Sequence, residues 1–334
     1  MKKRLGDILK FVVFIGIGFF CIWWFLLKLD PTEKEAIWQS FLSANYGWVG
    51  VCMLCCLLSH LFRALRWQLL YKPLGDKPGL GNTFGAVMVA YMANLAFPRL
   101  GEVMRCAVMR TSEKQPMEKS LGTVVSERRI DALMIGLIAV AGLLYLYWQV
   151  KDWIYDNLAA KFASLPTTGM IIGAAVLLLS LCFVAYKLWW KKLLRFSLFR
   201  KVDELVRGCV EGVKSILHIG KKDTFLFIAY SLIIYALYIM GGYIIFRAFG
   251  ETDWLGFRAA FALYLFGSVG MIFSQGGIGV YPVMVQMALA IYGISYEVGT
   301  ACGWLLWGAQ QAITLAVGAG YLIYFSLLKR KTHQ

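Results

Sequence analysis

The stretch Asn94-Leu-Ala-Phe-Pro-Arg-Leu-Gly-Glu-Val-Met-Arg105 decides the fold, because it interrupts an apolar helix at a charged point. The apolar residues Thr83–Ala96 come before the interruption and are predicted to be helical. Pro98 lacks a backbone N–H and disfavours helix at the residue before it, so the helix is expected to end there. The charges that follow are spaced three apart, on one face of any helix that resumes: Arg99, Glu102 and Arg105.

Two interpretations of this stretch are open. It is either a charged turn between two helices outside the membrane, or a broken helix that enters the bilayer and lines a polar cavity. An unpaired charge at membrane depth costs roughly 2.5–3.5 kcal/mol. Irregular backbone is tolerated there only where it is buried in protein or faces water. The topology of the rest of the chain therefore decides between the two.

The composition is that of an integral membrane protein. Of the 334 residues, 60% are hydrophobic and only 16% are charged, and several apolar runs approach the length that spans a bilayer. The net charge of +15 comes from basic residues between these runs, which is the pattern of cytoplasmic loops. Nucleic acid is therefore not an expected partner.

The sequence offers no set of catalytic or metal-binding residues. The pattern Cys52-x-x-Cys55-Cys56 has no second cluster or nearby carboxylate to complete a metal site, so these residues are interpreted as small buried side chains. There is no HExxH, no phosphate-binding loop and no Ser/His/Asp set. We therefore expect no enzyme activity, metal or cofactor.

The spans follow from length and charge. Basic residues at the N-terminus, at the C-terminus and in the loop before Thr224 place both termini in the cytoplasm. The weakly charged stretches Lys28–Asn45 and Lys151–Pro166 are expected to be loops on the outer side. About six full transmembrane helices are predicted: Phe11–Leu27, Trp48–Trp67, Glu127–Trp148, Thr167–Tyr186, Thr224–Phe246 and Thr300–Leu328.

Two further units are too short to cross twice. Basic residues flank Thr83–Met109 on both sides, and its second limb would be only about 15 Å long at 1.5 Å per residue. A re-entrant hairpin that enters from the cytoplasm is therefore predicted. Ala259–Phe273, with the Gly-rich residues Ser274–Pro282 and a short limb to Tyr292, predicts a second hairpin from outside.

The order of these elements repeats, so the chain is predicted to be one polytopic membrane domain, 1–334, of two repeats. Repeat one is 8–148 and repeat two is 168–328. Each makes three crossings, so the repeats are inverted, as in transporters with discontinuous helices. The segment 196–217 carries apolar residues at three-to-four spacing and is expected to be an amphipathic helix on the inner leaflet.

Other polar residues have two interpretations each. Arg63 and Arg66 either anchor a helix end at the headgroups or face a cavity. Glu127, Arg128 and Asp131 either form an N-terminal turn or neutralise the arginines after the break. The Gly-rich tip either presents free N–H groups to an anion or packs tightly as a turn: Gly276, Gly277 and Gly279.

The chain resembles the membrane domain of lysylphosphatidylglycerol synthases, which flippase-like bacterial and archaeal proteins share. The resemblance covers nearly the whole chain and implies a lipid-translocase fold with two re-entrant regions. The family often has a proline before the glycines and a glutamate after them, where this chain has Ser274-Gln275 and Tyr281-Pro282. The motifs that carry the resemblance are Arg63-x-x-Arg66-Trp67, Asn94-x-x-x-Pro98-Arg99-x-Gly101-Glu102-x-x-Arg105, Glu127-Arg128-x-x-Asp131 and Gly276-Gly277-Ile-Gly279.

The expected function is that of a flippase or scramblase for an anionic or phosphate-bearing lipid in the bacterial inner membrane. Two arginines, Arg99 and Arg105, would hold the phosphate, because a guanidinium donates two parallel hydrogen bonds. Glu102 and Asp131 would balance charge or carry a proton.

The alternatives are an intramembrane lipid-modifying enzyme and a non-transporting partner of a lipid- or glycan-synthesis enzyme. Membrane lipids are the expected partners. Formation of a homo-oligomer is a further possibility that the sequence does not decide. The candidate substrate-binding residues are Arg99, Glu102, Arg105, Arg63, Arg66, Asn94, Glu127, Arg128, Asp131, Gly276, Gly277 and Gly279.

Overall fold

The computed structural model describes residues 31–97, 99–162 and 220–331. In these ranges the backbone forms α-helices and short 3-10 turns, with no strand, so the all-α prediction is confirmed. The predicted spans Phe11–Leu27 and Thr167–Tyr186 lie outside the described residues, as does the predicted amphipathic helix 196–217.

The helices are numbered in chain order within the described ranges. Short 3-10 turns follow the second and sixth helices and form the tip between the seventh and eighth. The α-helices are α1 Pro31–Ser43, α2 Tyr46–Tyr71, α3 Leu80–Ala96, α4 Leu100–Ser112, α5 Met117–Phe162, α6 Lys221–Ile245, α7 Phe257–Phe273, α8 Val280–Ala290 and α9 Tyr296–Lys331.

Two long apolar stretches of the described chain are of membrane-spanning length and composition. Tyr46–Leu74 contains α2, and Lys221–Ala248 contains α6. Both coincide with predicted spans, and α2 and α6 pack against each other. These helices agree with the expected membrane protein, while the total of six crossings stays a prediction.

The helix break at the quoted stretch is confirmed. Helix α3 ends at Ala96 and α4 begins at Leu100, and the two pack against each other as a hairpin. At the tip, the side-chain oxygen Oδ1 of Asn94 accepts a hydrogen bond of 2.8 Å from the backbone N–H of Gly101. At the base, the carboxylate of Glu113 accepts from the backbone N–H of Gly79 at 2.9 Å. The limbs are therefore antiparallel, whereas their depth in a bilayer stays a prediction.

The second hairpin is also present. Helices α7 and α8 pack together, and the 3-10 turn Gln275–Gly277 lies at their tip. The limbs approach closely at Gly270, where an added Cβ would lie 2.8 Å from the Cα of Tyr281. Gly279 precedes α8 with a φ of 73°, a left-handed conformation that glycine adopts without strain.

Two predicted loops are helical instead. Pro31–Ser43 forms α1, within the stretch expected to be an outer loop, and α5 continues past Trp148 to Phe162. In α1, proline and acidic residues begin the helix, which is where both favour helix formation. The loop prediction rested on charge balance, which indicates a side of the membrane and does not determine backbone conformation.

Helix α9 packs against both hairpins. An added Cβ at Gly318 would lie 2.9 Å from the backbone oxygen of Met88 in α3. An added Cβ at Gly303 would lie 2.8 Å from the backbone of Pro282 in α8. These glycines let the backbones of three helices approach, as small residues do between membrane helices.

Candidate functional site

A buried cluster of five charged side chains joins three helices of the first half. Helix α2 contributes Arg63 and Arg66, α4 contributes Arg105, and α5 contributes Glu127 and Asp131. The three-residue spacing in α2 and the four-residue spacing in α5 place each pair on one helical face. Each of the five residues is at most 5% exposed. We call this set the charged cluster.

Glu127 is the centre of the charged cluster. Its Oε2 atom accepts from Nη1 of Arg105 at 2.6 Å, and its Oε1 atom accepts from Nη2 of Arg66 at 2.8 Å. Nη1 of Arg63 lies 3.5 Å from the same Oε1 atom. One carboxylate therefore contacts three guanidinium groups, which joins α2, α4 and α5.

Asp131 completes the contacts of the two α2 arginines. Its Oδ2 atom accepts from Arg63 at 2.7 Å, and its Oδ1 atom accepts from Arg66 at 2.6 Å. Helix α6 supplies neutral partners, since Ser231 lies 3.0 Å from Nη1 of Arg66. The hydroxyl of Tyr238 lies 3.3 Å from Nη2 of Arg63.

Aromatic rings cover the guanidinium groups. The centre of the Arg105 guanidinium lies 3.5 Å from the ring centroid of Trp67, which stabilises the cation through the π face. The ring N–H of Trp67 donates to the hydroxyl of Thr123 at 2.9 Å, which fixes the ring. Arg66 lies over Phe227 at 5.1 Å. The aromatic rings therefore contact those faces of the two guanidinium groups that no carboxylate contacts.

The charged cluster carries one more positive than negative charge, since three arginines face two carboxylates. Arg105 is the least satisfied member: its buried Nε and Nη2 atoms have no hydrogen-bond partner among the described residues. A buried charged group with unused donors is costly unless an acceptor or water reaches it. The arrangement therefore has the charge and the donors to bind an anion.

One edge of the charged cluster is accessible. The side chains of Glu102 and Arg128 are 34% and 36% exposed, compared with 0–8% for the five clustered side chains. Nε of Arg128 lies 3.5 Å from Glu102, and its Nη1 lies 3.8 Å from Asp131. This neutral pair therefore lies between the buried charges and the outside of the fold.

The structure groups the predicted residues differently from the expected set of Arg99, Glu102 and Arg105. Glu102 pairs with Arg128, and Arg105 pairs with Glu127, because the rotation of α4 about its axis directs the two side chains toward different neighbours. Arg99 is exposed and holds a left-handed φ of 66° at the start of α4, and none of the ion pairs between described residues includes it. Arg99 is therefore not part of the charged cluster.

The other predicted residues have separate places. Asn94 holds the tip of the first hairpin through Gly101. The glycines of the second tip, Gly276, Gly277 and Gly279, all have positive φ values between 61° and 77°. An added Cβ at Gly276 would lie 2.9 Å from Cδ2 of Leu95, so the two hairpin tips meet. Tight packing of this turn is thus observed, while anion binding by it stays a prediction.

A tryptophan of α9 fixes the second tip. The ring N–H of Trp307 donates to the backbone oxygen of Gly276 at 2.8 Å.

We expect Trp307→Phe to lower the free energy of unfolding by about 1 kcal/mol, because it removes this hydrogen bond and leaves a backbone acceptor unpaired. The melting temperature of the purified protein in detergent measures this loss. Trp304→Phe is the control, because Trp304 makes a ring contact with Trp307 but no side-chain hydrogen bond to any residue that the structure describes. Equal losses in the two variants would contradict the role of the bond.

Sequence reasoning missed the contribution of α6. Ser231 and Tyr238 contact the buried arginines, and the hydroxyl of Tyr235 donates to the backbone oxygen of Asp131 at 3.3 Å. The available signal was the presence of hydroxyl side chains within an otherwise apolar span. No group of three or more His, Cys, Asp or Glu residues in the described ranges is arranged to hold a metal ion.

Comparisons with known proteins agree with the expectation of a membrane protein. A UPF0104 membrane protein of Methanothermobacter thermautotrophicus is 23% identical over 325 residues, covering 87% of this chain and 88% of that relative. The glycosyltransferase AglD of Haloferax volcanii is 25% identical over 127 residues, which are 35% of this chain and 20% of AglD. No solved structure matches the chain significantly.

The family-level match covers more than the described helices. The pattern of the lysylphosphatidylglycerol synthase TM region matches residues 8–318, which include both hairpins and the whole charged cluster. The expected resemblance is thereby confirmed. The chain is a membrane protein and belongs to the family of the lysylphosphatidylglycerol synthase TM region.

Proposed function

We propose that this protein is a flippase or scramblase that moves a phosphate-bearing lipid across the bacterial inner membrane. The observation that carries the proposal is the charged cluster, with one positive charge in excess and unused donors on Arg105. A phosphate oxygen would accept from these donors and supply the missing negative charge. Arginine suits this role because its planar fork matches phosphate geometry.

The cluster is poorly suited to a purely structural role. A buried ion-pair network stabilises a protein only when its geometry satisfies the remaining donors, and apolar replacement is otherwise often neutral or favourable. Here the donors on Arg105 remain unused although the neighbouring groups are well aligned. A ligand explains this arrangement.

The accessible edge offers a route for the headgroup. Glu102 and Arg128 separate the buried charges from the outside, and their contact of 3.5 Å is longer than the carboxylate–arginine hydrogen bonds of 2.6–2.8 Å inside the charged cluster. Because both side chains are about one-third exposed, their pair is screened and weak. An incoming phosphate would exchange this contact for one with Arg128 and then reach Arg105.

The proposed topology is that of a two-repeat transporter with both termini in the cytoplasm. The repeats 8–148 and 168–328 are proposed to be inverted, with one re-entrant hairpin in each. The meeting of the hairpin tips at Leu95 and Gly276 supports a shared midplane site.

A second candidate function is a non-transporting partner of a lipid- or glycan-synthesis enzyme, which the partial similarity to a glycosyltransferase favours.

Reconstitution with Arg105→Lys tests the proposed transport. The variant keeps the charge but loses the two-pronged geometry, so we expect lipid movement in vesicles to fall about tenfold or more, as for a charge-assisted hydrogen bond. Arg110→Lys is the matched control, because Arg110 lies in the same helix with an exposed side chain. We expect the control to transport normally.

The outcomes separate the function classes. Normal transport by Arg105→Lys would show that this arginine does not bind the phosphate. Chemical change of the lipid without movement would indicate a lipid-modifying enzyme. If the wild type neither moves nor changes lipids of several headgroups, the partner role is the better account.

A further inference from the structure

A groove lies on the surface of the first hairpin, where α3 begins and α9 ends. Its volume is about 510 Å³, which lies within the range of about 300–1,000 Å³ that is typical of ligand sites. We call it the glycine groove. The described residues that line it share no member with the charged cluster, and they are Gly81, Asn82, Val317, Gly320, Tyr321 and Tyr324.

Two glycines form the floor of the glycine groove. An added Cβ at Gly81 or at Gly320 would meet no atom within 4 Å, so the space above both is open. One wall is fixed, because the ring of Tyr321 packs against the ring of Phe84 with centroids 5.7 Å apart. The same ring lies where a Cβ of Gly85 would be. The groove therefore follows from the residues at the contact between α3 and α9.

The glycine groove opens onto an apolar surface. Three residues of α9 lie on the same helical face as Gly320, at spacings of three, four and seven: Ile323, Tyr324 and Leu327. They are 61%, 49% and 53% exposed, and Leu80 in α3 is 40% exposed. In a membrane protein, an exposed apolar surface of this kind contacts lipid. A ligand of the groove would therefore come from the bilayer.

The two tyrosines indicate the depth of the glycine groove. The basic residues at the end of α9 begin at Lys329, five residues after Tyr324, which is about 7.5 Å along a helix at 1.5 Å per residue. Tyrosine prefers the membrane interface, where its ring contacts lipid chains and its hydroxyl contacts polar groups. Neither the hydroxyl of Tyr321 nor that of Tyr324 donates a hydrogen bond to another described residue. Both are therefore available to the ester carbonyls of a lipid.

The charge at this end of the fold suits a phosphate. The carboxylate of Glu113 already accepts hydrogen bonds from the backbone N–H of Gly79 at 2.9 Å and from the side-chain amide of Asn82 at 2.7 Å. Basic residues near the membrane surface attract anionic lipids by about 1 kcal/mol each. Where α3 begins and α4 and α9 end, the acidic residues are Asp76 and Glu113, and the basic residues are Lys77, Arg110, Lys114 and Lys329–Lys331.

We propose that the glycine groove binds one phospholipid of the cytoplasmic leaflet as a resident lipid. One acyl chain lies above Gly81 and Gly320, and an ester carbonyl accepts from Tyr321 or Tyr324. The leaflet rests on the topology proposed above, whereas the site does not depend on transport. A helix of a second copy fits less well, because a helix is about 10–12 Å wide and the exposed side chains of α9 stand beside the glycine floor. A single acyl chain is narrower and enters between them.

Photo-crosslinking locates this lipid. The purified protein is placed in vesicles that contain phosphatidylglycerol with a diazirine in one acyl chain, and the labelled residues are identified by peptide mass spectrometry after irradiation. Ile228 and Leu232 in α6, which are 49% and 55% exposed, give the level of labelling by bulk lipid. We expect residues 80–85 and 317–324 of the wild type to be labelled above that level.

Filling the groove should displace the lipid. Gly320→Leu puts a side chain into the open space, so labelling of both segments should fall to the level of Ile228 and Leu232. Gly308→Leu is the matched control, because Gly308 lies in the same helix, an added Cβ there also meets no atom within 4 Å, and the residue does not line the groove. We expect this control to keep the wild-type labelling.

Removing the hydroxyl groups tests the position of the esters. The double variant Tyr321→Phe, Tyr324→Phe keeps both rings, and we expect it to lower labelling of the groove about two- to threefold, the effect of one hydrogen bond between groups in a membrane. Unchanged labelling in this variant would overturn the placement of the esters.

The remaining outcomes separate a resident lipid from other occupants. Wild-type labelling no higher than that of Ile228 and Leu232, or unchanged labelling in Gly320→Leu, would overturn the inference, because only bulk lipid would then contact the groove. A wild-type dimer that Gly320→Leu converts to a monomer would show that a second copy occupies it instead. Arg105→Lys should keep the labelling whatever happens to lipid movement. Loss of labelling in that variant would show that the groove holds the transported lipid and would overturn a resident one.

Discussion

Glu127→Gln is expected to lower the free energy of unfolding by about 3–5 kcal/mol, the cost of removing one partner from a buried ion-pair network. The carboxylate accepts from Arg66 and Arg105 and lies 3.5 Å from Arg63. Its neutralisation would leave three buried arginines with the single charge of Asp131. The yield of monodisperse protein and its melting temperature in detergent measure the effect.

Glu102→Gln is the matched control for this substitution. Glu102 pairs with one arginine at 3.5 Å, and its side chain is 34% exposed. Exposed pairs contribute about 0–1 kcal/mol, so this variant should fold with nearly wild-type stability. A Glu127→Gln protein as stable as the control would show that Glu127 is not the centre that holds α2, α4 and α5 together.

Gly101→Ala is expected to open the first hairpin. An added Cβ would lie 2.1 Å from the backbone oxygen of Ala90 and 2.7 Å from Cγ of Asn94. A backbone oxygen in a helix cannot move aside as a flexible side chain can, so the limbs must separate. Overpacking of this kind costs about 1–3 kcal/mol or more. Lipid movement should fall together with the melting temperature, because α4 carries Arg105.

Gly81→Ala provides the comparison within the same hairpin. Gly81 is the second residue of α3, as Gly101 is of α4, and an added Cβ there would meet no atom within 4 Å. This variant should change stability by less than about 1 kcal/mol, in the direction of greater helix stability. If both variants behave alike, the close approach at Gly101 does not hold the hairpin.

The first hairpin could be predicted from local chemistry. The proline and glycine of the quoted stretch determine where α3 must stop, and a helix of that length cannot cross a bilayer and return. One of the two interpretations of Glu127 and Asp131 was that they neutralise Arg99 and Arg105, and the structure shows this pairing for Arg105 but not for Arg99. The structure brings these carboxylates to Arg63, Arg66 and Arg105.

The choice of partner could not be predicted in the same way. Whether Arg105 pairs with Glu102, one turn away on its own helix, or with Glu127 on α5 depends on how the helices are rotated about their axes. A rotation of one residue position in α4 would exchange the roles of neighbouring side chains. Spacing within one segment contains no information about that rotation. Arg99 lies exposed for a separate reason: it precedes α4 and holds a left-handed φ of 66°, so helical spacing does not place it beside Arg105.

Helix α9 has a mechanical consequence for any working cycle. Gly318 and Gly303 hold it within backbone contact of one limb of each hairpin, and Trp307 binds the second tip directly. At Gly303 the nearest atoms belong to the backbone of Pro282, and at Gly318 they are the backbone oxygen of Met88 and the side chain of Met92, so the helices are closely packed at both contacts. A tilt of one hairpin would therefore displace α9, and α9 would displace the other hairpin. We expect the two hairpins to move together and not independently.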